Sequence, residues 1–340
     1  MTSSFPEAPT GAFGTVFADS MAVATWNDGN WSSSEVVGTQ PFSFHPATHV
    51  LHYGSACFEG LKAHRGTDGV VRVFRADRHA ERMATSAGIL RLPVPPLDML
   101  RQMIFDTVAA NRADVPVSPG SLYLRPTLIG TEPNIGAAAV PSKEALLYVL
   151  ASPVGDYFKG GDRALKLAIE QDQPRSTPTF GMVKSGANYV MALGITMDRR
   201  AEYGIDQVLF APRGDVQETG ASNFMLIDAE RIVTPMLTES FLHGVTRDSI
   251  LQLGRDLGYE VEERSLTVSD VVEWASRPDA EAALSGTAAV LASVGTLFVD
   301  GEEIPVGGGG VGSQTTRLRS ALRAIHLGES DDPHGWLTEV

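Results

Sequence analysis

Cysteine is nearly absent from the 340-residue chain: Cys57 stands alone. A single thiol can form no internal disulfide and cannot supply a cysteine-based zinc site, so a reducing compartment fits and no metal is expected. Lysine is almost as scarce, five residues against twenty-two arginines, and none follows Lys184. No eighteen apolar residues run together, and the N-terminal MTSSFPEAPTGAFG has no basic segment followed by an apolar stretch. Neither a signal peptide nor a membrane span is expected, and a cytoplasmic location follows. Basic charge is also short, 27 Lys+Arg against 41 Asp+Glu for a formal net charge of −14, which makes nucleic acid and anionic membrane surfaces poor partners.

What is present is the composition of an ordinary globular protein, 43% apolar and 20% charged, in a chain too long for one hydrophobic core. Two domains are expected. In the first half, HVLHYGSACFEGLKAHRG reads as a strand with a glycine bend, and TDGVVRVFR completes a hairpin turning at Asp68-Gly69. Helical spacing covers 78–90 and 97–111, and GSLYLRPTLIG and EALLYVLASPVG read as buried strands. This is an α+β unit of residues 1–151. SPVGDYFKGGDRA, rich in Gly and Pro, reads as a linker over 152–164, and residues 165–340 form the larger domain. There the pattern predicts strands at 165–170, 207–211, 223–227, 232–234, 283–285 and 288–293, with helices at 188–203 and from Thr315 to about Ile325. GVTRDSILQLGRDLGYEVEER predicts another helix with Thr246 as cap, Asp248 at the positive end and Gly258 as stop.

The rare lysines can be weighed singly. Lys62 and Lys166 sit in alternating strand patterns, where a lysine ordinarily points to solvent, and Lys143 and Lys159 lie in a turn and a loop. Lys184 differs: TFGMVKSGANY brackets it with Gly181 and Gly186 between an apolar approach and an apolar helix. Two readings fit, a buried stem with a paired head, or an amine made nucleophilic by desolvation for Schiff-base chemistry with an aldehyde cofactor. A pyridoxal phosphate site needs an anion for the pyridine nitrogen, a donor for the phenolic oxygen, and a cation with backbone amides for the phosphate. Glu218 in VQETGASNFMLI, Tyr189 after Lys184, Thr246 in HGVTRDS, and Gly286-Thr287 in LSGTAAVL supply such groups in order.

Taken with HVLHYGSACFEGLKAHRG, VRVFRADRHAERM, SLYLRPTLIG, SPVGDYFKGG and KSGANY, these blocks resemble the branched-chain amino acid aminotransferases of the fold-type IV pyridoxal-phosphate family, from about Phe42 to Leu327. The resemblance implies a two-domain α/β (α+β) fold, with a small N-terminal domain, a larger C-terminal one and the cofactor in the cleft. It also implies a homodimer in which a loop of one subunit closes the other's site. The activity implied is ping-pong transamination between leucine, isoleucine or valine and 2-oxoglutarate.

Carried over by residue, Lys184 is the Schiff-base lysine and proton shuttle, Glu218 the partner of the pyridine nitrogen and Tyr189 that of the phenolic oxygen. Arg82, Val245, Thr246 and Thr287 are implied to hold the phosphate, and Thr287 and Ala288 the substrate carboxylate. Tyr53, Phe58, Tyr123 and Tyr157 match the aromatic wall of the side-chain pocket, and Arg125 the partner of the second substrate's distal carboxylate. The chain departs from the family pattern at Gly54-Ser55-Ala56 and at Ala221-Ser222, which bears on substrate preference, and SGTAAVLAS lacks the Cys-x-x-Cys of mammalian relatives. A D-amino acid aminotransferase or aminodeoxychorismate lyase of the same fold, or a silent binding homologue, are the alternative readings.

Overall fold

The computed structural model describes residues 5–9, 11–156 and 163–340. Two compact units make up the chain: the first is 1–156 with 184–186 and 324–340, the second 157–183 with 187–323. Residues 157–162 of the expected linker, Tyr157 included, lie outside the described residues.

The first unit carries β1 (Ser20–Asn27), β2 (Asn30–Trp31), β3 (Glu35–Gly38), α1 (His49–Tyr53), β4 (Ala56–Phe58), β5 (Leu61–Arg65), β6 (Val71–Phe74), α2 (Ala76–Ile89), α3 (Leu97–Ala110), β7 (Ser121–Gly130) and β8 (Ala145–Val154). A last strand, Leu337–Glu339, returns from the chain's C-terminus to pair with β6. All strand pairs are antiparallel, and the long β7–β8 ladder occupies the middle of the sheet. On α2 the buried residues Ala76, His79, Ala80, Met83, Ser86 and Ala87 recur at helical spacing, and this face closes over Leu61, Ala63 and Val73 with Leu100 and Ile104 of α3.

Two expectations change here. HVLHY is a short helix rather than a strand: Gly54, at φ +62°, takes the left-handed conformation that ends it before β4 begins. Lys62 does not point to solvent. It is 9% exposed because β5 is paired on both edges and covered on both faces.

The second unit carries β9 (Leu165–Glu170), all but the first residue of α4 (Gly186–Tyr203), β10 (Gln207–Phe210), β11 (Asn223–Ile227), β12 (Arg231–Pro235), α5 (Val245–Asp256), β13 (Glu260–Arg264), α6 (Val268–Ala275), β14 (Glu281–Gly286), β15 (Val290–Val299), β16 (Glu302–Pro305) and all but the last three residues of α7 (Ser313–His326). Its sheet runs β10-β9-β15-β14-β11-β12-β13, with β16 beside β15. The β9–β10 and β12–β13 pairs are parallel, and parallel neighbours need a crossover, which α4 and α5 supply. Leu167, Leu209, Phe224, Leu226, Val233 and Leu284 form the core with Val271 and Trp274 of α6. Gly258, at φ +89°, stops α5 as expected, but its N-cap is Gly244, which leaves Thr246 buried as the second helical residue. A Cβ on Gly244 would lie 2.0 Å from Asn223 Oδ1, so only glycine fits at that start.

Candidate active site

In the first unit the site grows from an interruption in the sheet. β4 and β5 pair with the same edge of β7, and Pro126, which has no N–H, faces the gap between them. Across that gap run Phe58, Glu59 and Gly60, held by the Glu59 amide donating to the Pro126 carbonyl at 2.8 Å. Lys184 docks on the same edge. Its carbonyl accepts from the Phe58 amide at 3.0 Å, and its own amide donates to Ser86 Oγ at 3.1 Å. The Lys184 ammonium then lies 5.1 Å from the centroid of the Phe58 ring, and the Arg125 guanidinium lies 4.6 Å from the same centroid. Arg125 donates through Nη2 to the Tyr123 hydroxyl at 2.8 Å, while its buried Nε meets no acceptor among the described residues.

His79, Arg82 and Ser86 fall on one face of α2, three and then four residues apart. Arg82 donates to Glu59 through Nε at 2.7 Å and Nη2 at 2.8 Å, and His79 Nδ1 lies 2.6 Å from Glu59 Oε2. Glu59 is wholly buried. Burial alone would push its carboxyl up, but Arg82 and His79 outweigh burial and hold it well below the carboxylate range. Burial lowers the His79 pKa and so favours the neutral ring, whose Nδ1–H can donate a hydrogen bond to Glu59. Tyr53, implied for the aromatic wall, ends α1 and donates its hydroxyl to the Ile135 carbonyl.

In the second unit the centre is Glu218. Its Oε1 is 2.6 Å from Arg175 Nη1 and accepts the Leu242 amide at 2.9 Å, while Oε2 accepts from Asn223 Nδ2 at 3.1 Å. Arg175, 1% exposed, also donates to the Gly220 and Gly181 carbonyls and lies 5.8 Å from the Tyr189 ring. Arg175 therefore brings Glu218 and Tyr189 together, and no local pattern in QPRSTPTFG marks it. The loop before Lys184 is fixed by Asn188, whose Nδ2 donates to the Phe180 and Val183 carbonyls at 2.9 and 2.8 Å. Gly181 lies against backbone, since a Cβ there would sit 1.9 Å from the Ser240 carbonyl oxygen.

Asn223 joins Glu218 to the start of α5, where Val245 and Thr246 are buried. Thr287 and Ala288 occupy the three-residue turn between the paired Gly286 and Val290. Beside Gly286 lies Ser222, so the Ala221-Ser222 departure adjoins this turn. Thr219 Oγ1 fixes that departure by accepting the Ser222 amide at 3.0 Å.

The pattern of class IV amino-transferases matches residues 56–295. A probable branched-chain-amino-acid aminotransferase of Streptomyces coelicolor is 40% identical over 336 residues, covering 96% of this chain and 91% of its own. The chain belongs to the branched-chain amino acid aminotransferases of class IV. Within that family, the Mycolicibacterium smegmatis branched-chain-amino-acid aminotransferase is 36% identical over 343 residues, covering 96% and 92%. Among solved structures of the family, the branched-chain amino acid aminotransferase of T.th. with pyridoxamine 5'-phosphate matches with a TM-score of 0.77 and 27% identity over 95% of this chain and 99% of its own. The same enzyme complexed with N-(5'-phosphopyridoxyl)-L-glutamate and with 4-methylvaleric acid matches with TM-scores of 0.75, at 26% identity and the same coverage.

The donor set fits pyridoxal phosphate. Taken by chemistry alone, the first unit contains an amine, Lys184, of the kind an aldehyde takes; the second unit contains the buried carboxylate of Glu218, which suits a ring N–H, and the first turn of α5, with backbone amides of the kind that hold a phosphate.

Proposed function

We propose that this chain catalyses transamination between L-branched-chain amino acids (leucine, isoleucine and valine) and 2-oxoglutarate, with pyridoxal 5'-phosphate as cofactor, giving branched 2-oxo acids and L-glutamate. The observation that carries this reading is the Phe58 ring, against which an amine, Lys184, and a cation, Arg125, both lie. An apolar face with a guanidinium at its rim suits both an aliphatic chain and a distal carboxylate. The former gains about 0.8 kcal/mol for each methylene buried.

When bound, pyridoxal phosphate supplies an aldehyde that takes the amino group and a ring that draws electrons from the substrate α-carbon. Lys184 Nζ would hold the aldehyde carbon and would carry the proton released at the substrate Cα. Glu218 accepts the ring N–H and is held in place by Arg175, Asn223 and the Leu242 amide. Tyr189 donates its hydroxyl to the phenolic oxygen. Arg82, Thr246, Thr287 and the Val245 amide bind the phosphate, and Thr287 and Ala288 receive the substrate carboxylate. Tyr53 and Tyr123 join Phe58 in walling the side chain. One set of groups serves both substrates in turn, which makes the kinetics ping-pong.

The chain acts as a homodimer in this reading. Support comes from α4, where Val190 and Leu193 are 70% and 57% exposed and Met197 extends the same apolar side. Light scattering should give twice the chain mass of 36.3 kDa. Cytoplasmic action is consistent with the absence, among the described residues, of any helix long and apolar enough to cross a membrane.

Absorbance of the protein with pyridoxal phosphate, followed on adding L-leucine or D-alanine in separate cuvettes, tests the function. A spectral change with L-leucine alone, and glutamate formation from 2-oxoglutarate, are the expected results. Conversion of D-alanine instead, or of neither, would overturn it.

A further inference from the structure

Glu59 has no part in the proposed chemistry, yet it is the most elaborately held carboxylate of the first unit. One buried carboxylate receives Arg82 Nε at 2.7 Å, Arg82 Nη2 at 2.8 Å, His79 Nδ1 at 2.6 Å and the Gly60 amide at 3.2 Å. Stability alone does not call for such a cluster, because a buried ion pair is often matched or exceeded by apolar side chains of the same volume. Its distinctive product is orientation. A guanidinium is planar, so two parallel bonds along its Nε–Nη2 edge leave it no rotation, and the donors on its opposite edge are aimed in one fixed direction. His79 steadies the carboxylate in turn, from the position one helical turn before Arg82 on α2.

We propose that Glu59, steadied by His79, is a positioning residue that aims the Arg82 guanidinium at the cofactor phosphate; this rests on the reading of Arg82 as a phosphate contact. A carboxylate beside an anion site is unfavourable by charge alone, so the role is one of direction. It sits on the guanidinium edge away from the donors it aims. Arg82 without Glu59 keeps its charge and loses its fixed plane, so the benefit falls on phosphate recognition and not on the ring of the cofactor.

The test titrates the full-length chain with pyridoxal phosphate and, separately, with pyridoxal, which lacks the phosphate. The readout is the ratio of the two affinities. In Glu59→Gln the amide cannot accept from all three side-chain donors, and the ratio should fall by about tenfold, the lower end of what is lost when a ligand's supporting partner is removed. Affinity for pyridoxal itself should stay as in the parent. In His79→Gln, which keeps the ion pair, a smaller fall in the same ratio is expected, and this second variant stands in if Glu59→Gln fails to fold. A ratio unchanged in both variants, or equal losses for both compounds, would overturn the proposal. Arg82→Met separates the underlying reading: if its ratio equals the parent's, Arg82 does not hold phosphate. If the ratio collapses there but not in Glu59→Gln, Arg82 acts without Glu59.

Discussion

Gly60 has no side chain because Tyr123 fills the space one would need: a Cβ there would lie 2.0 Å from the Tyr123 hydroxyl oxygen. Gly60→Ala should therefore displace Tyr123 and break its bond from Arg125, at a cost of about 1–3 kcal/mol in stability through overpacking. Since Arg125 is the proposed partner of the distal carboxylate, the half-reaction with glutamate should slow more than that with leucine. Single-turnover kinetics of both half-reactions checks this, and equal slowing would detach Tyr123 from the choice of substrate. Lys184→Ala belongs to the same scale. Removing the amine should lower turnover by about a thousandfold or more, with pyridoxal phosphate still retained through its other contacts. Dialysis followed by phosphate analysis tests retention independently of rate. Lys184, Glu218 and Tyr189 can be proposed from the sequence because residue type and local setting draw attention to them. Arg175 and Glu59 cannot, since each gains its meaning from a partner distant in the chain. An arginine among twenty-two has no local sign that it will lie 2.6 Å from a buried glutamate.

Elements were legible where the signal is local. The periodicity of α2 and α5, the stop at Gly258 and the Asp68-Gly69 hairpin all follow from neighbouring residues. The start of α7 does not. Glu281, at the beginning of β14, accepts the Gln314 amide on Oε1 and the Thr315 amide and hydroxyl on Oε2, each at 2.8 Å. A carboxylate from another element thus does what an N-cap side chain does, satisfying two helix N–H groups and opposing the positive end of the helix. Gly312 belongs to the same arrangement, since a Cβ there would sit 2.0 Å from Glu281 Oε2. Glu281→Ala should leave two half-buried amides without acceptors and cost about 1–3 kcal/mol. Urea unfolding is the measurement, and a midpoint equal to the parent's would mean that water replaces the carboxylate at no cost. The misassigned HVLHY shows the converse. Five residues carry too little periodicity to tell strand from helix, and the deciding fact is the left-handed Gly54.

For the whole molecule, the two-unit α/β architecture could be expected from chain length and from alternating patterns, while the pairing of β4 and β5 to one edge of β7 could not. That pairing creates the gap in which Glu59 is buried, and burial there gives the molecule a pH dependence of definite sign. His79 is lowered from its ordinary 6.5 by burial, so the unfolded state takes up a proton first. Its contribution is fully present above pH 6.5 and is lost as pH falls through the folded value. Glu59 is held below its ordinary 4.5 because Arg82 and His79 outweigh burial, so its contribution is present above pH 4.5 and is lost below that. Cys57 is pushed up from 9.0 to about 12, by burial first and Glu59 second, and favours the folded state fully below pH 9 but less as pH rises toward 12. Stability should thus be highest between about pH 6.5 and 9 and decline first on the acid side, by at most about 1.4 kcal/mol per pH unit for each proton taken up. The net charge of −14 works the other way, since protonating surface carboxylates relieves self-repulsion. The parent's curve alone therefore mixes two effects, and the comparison with His79→Gln separates them. The difference in urea midpoint between parent and variant should be constant from pH 7 to 8.5 and shrink between pH 6.5 and 5. A difference that stays constant down to pH 5 would mean that His79 takes up its proton equally in both states and that the buried cluster does not set the acid limit.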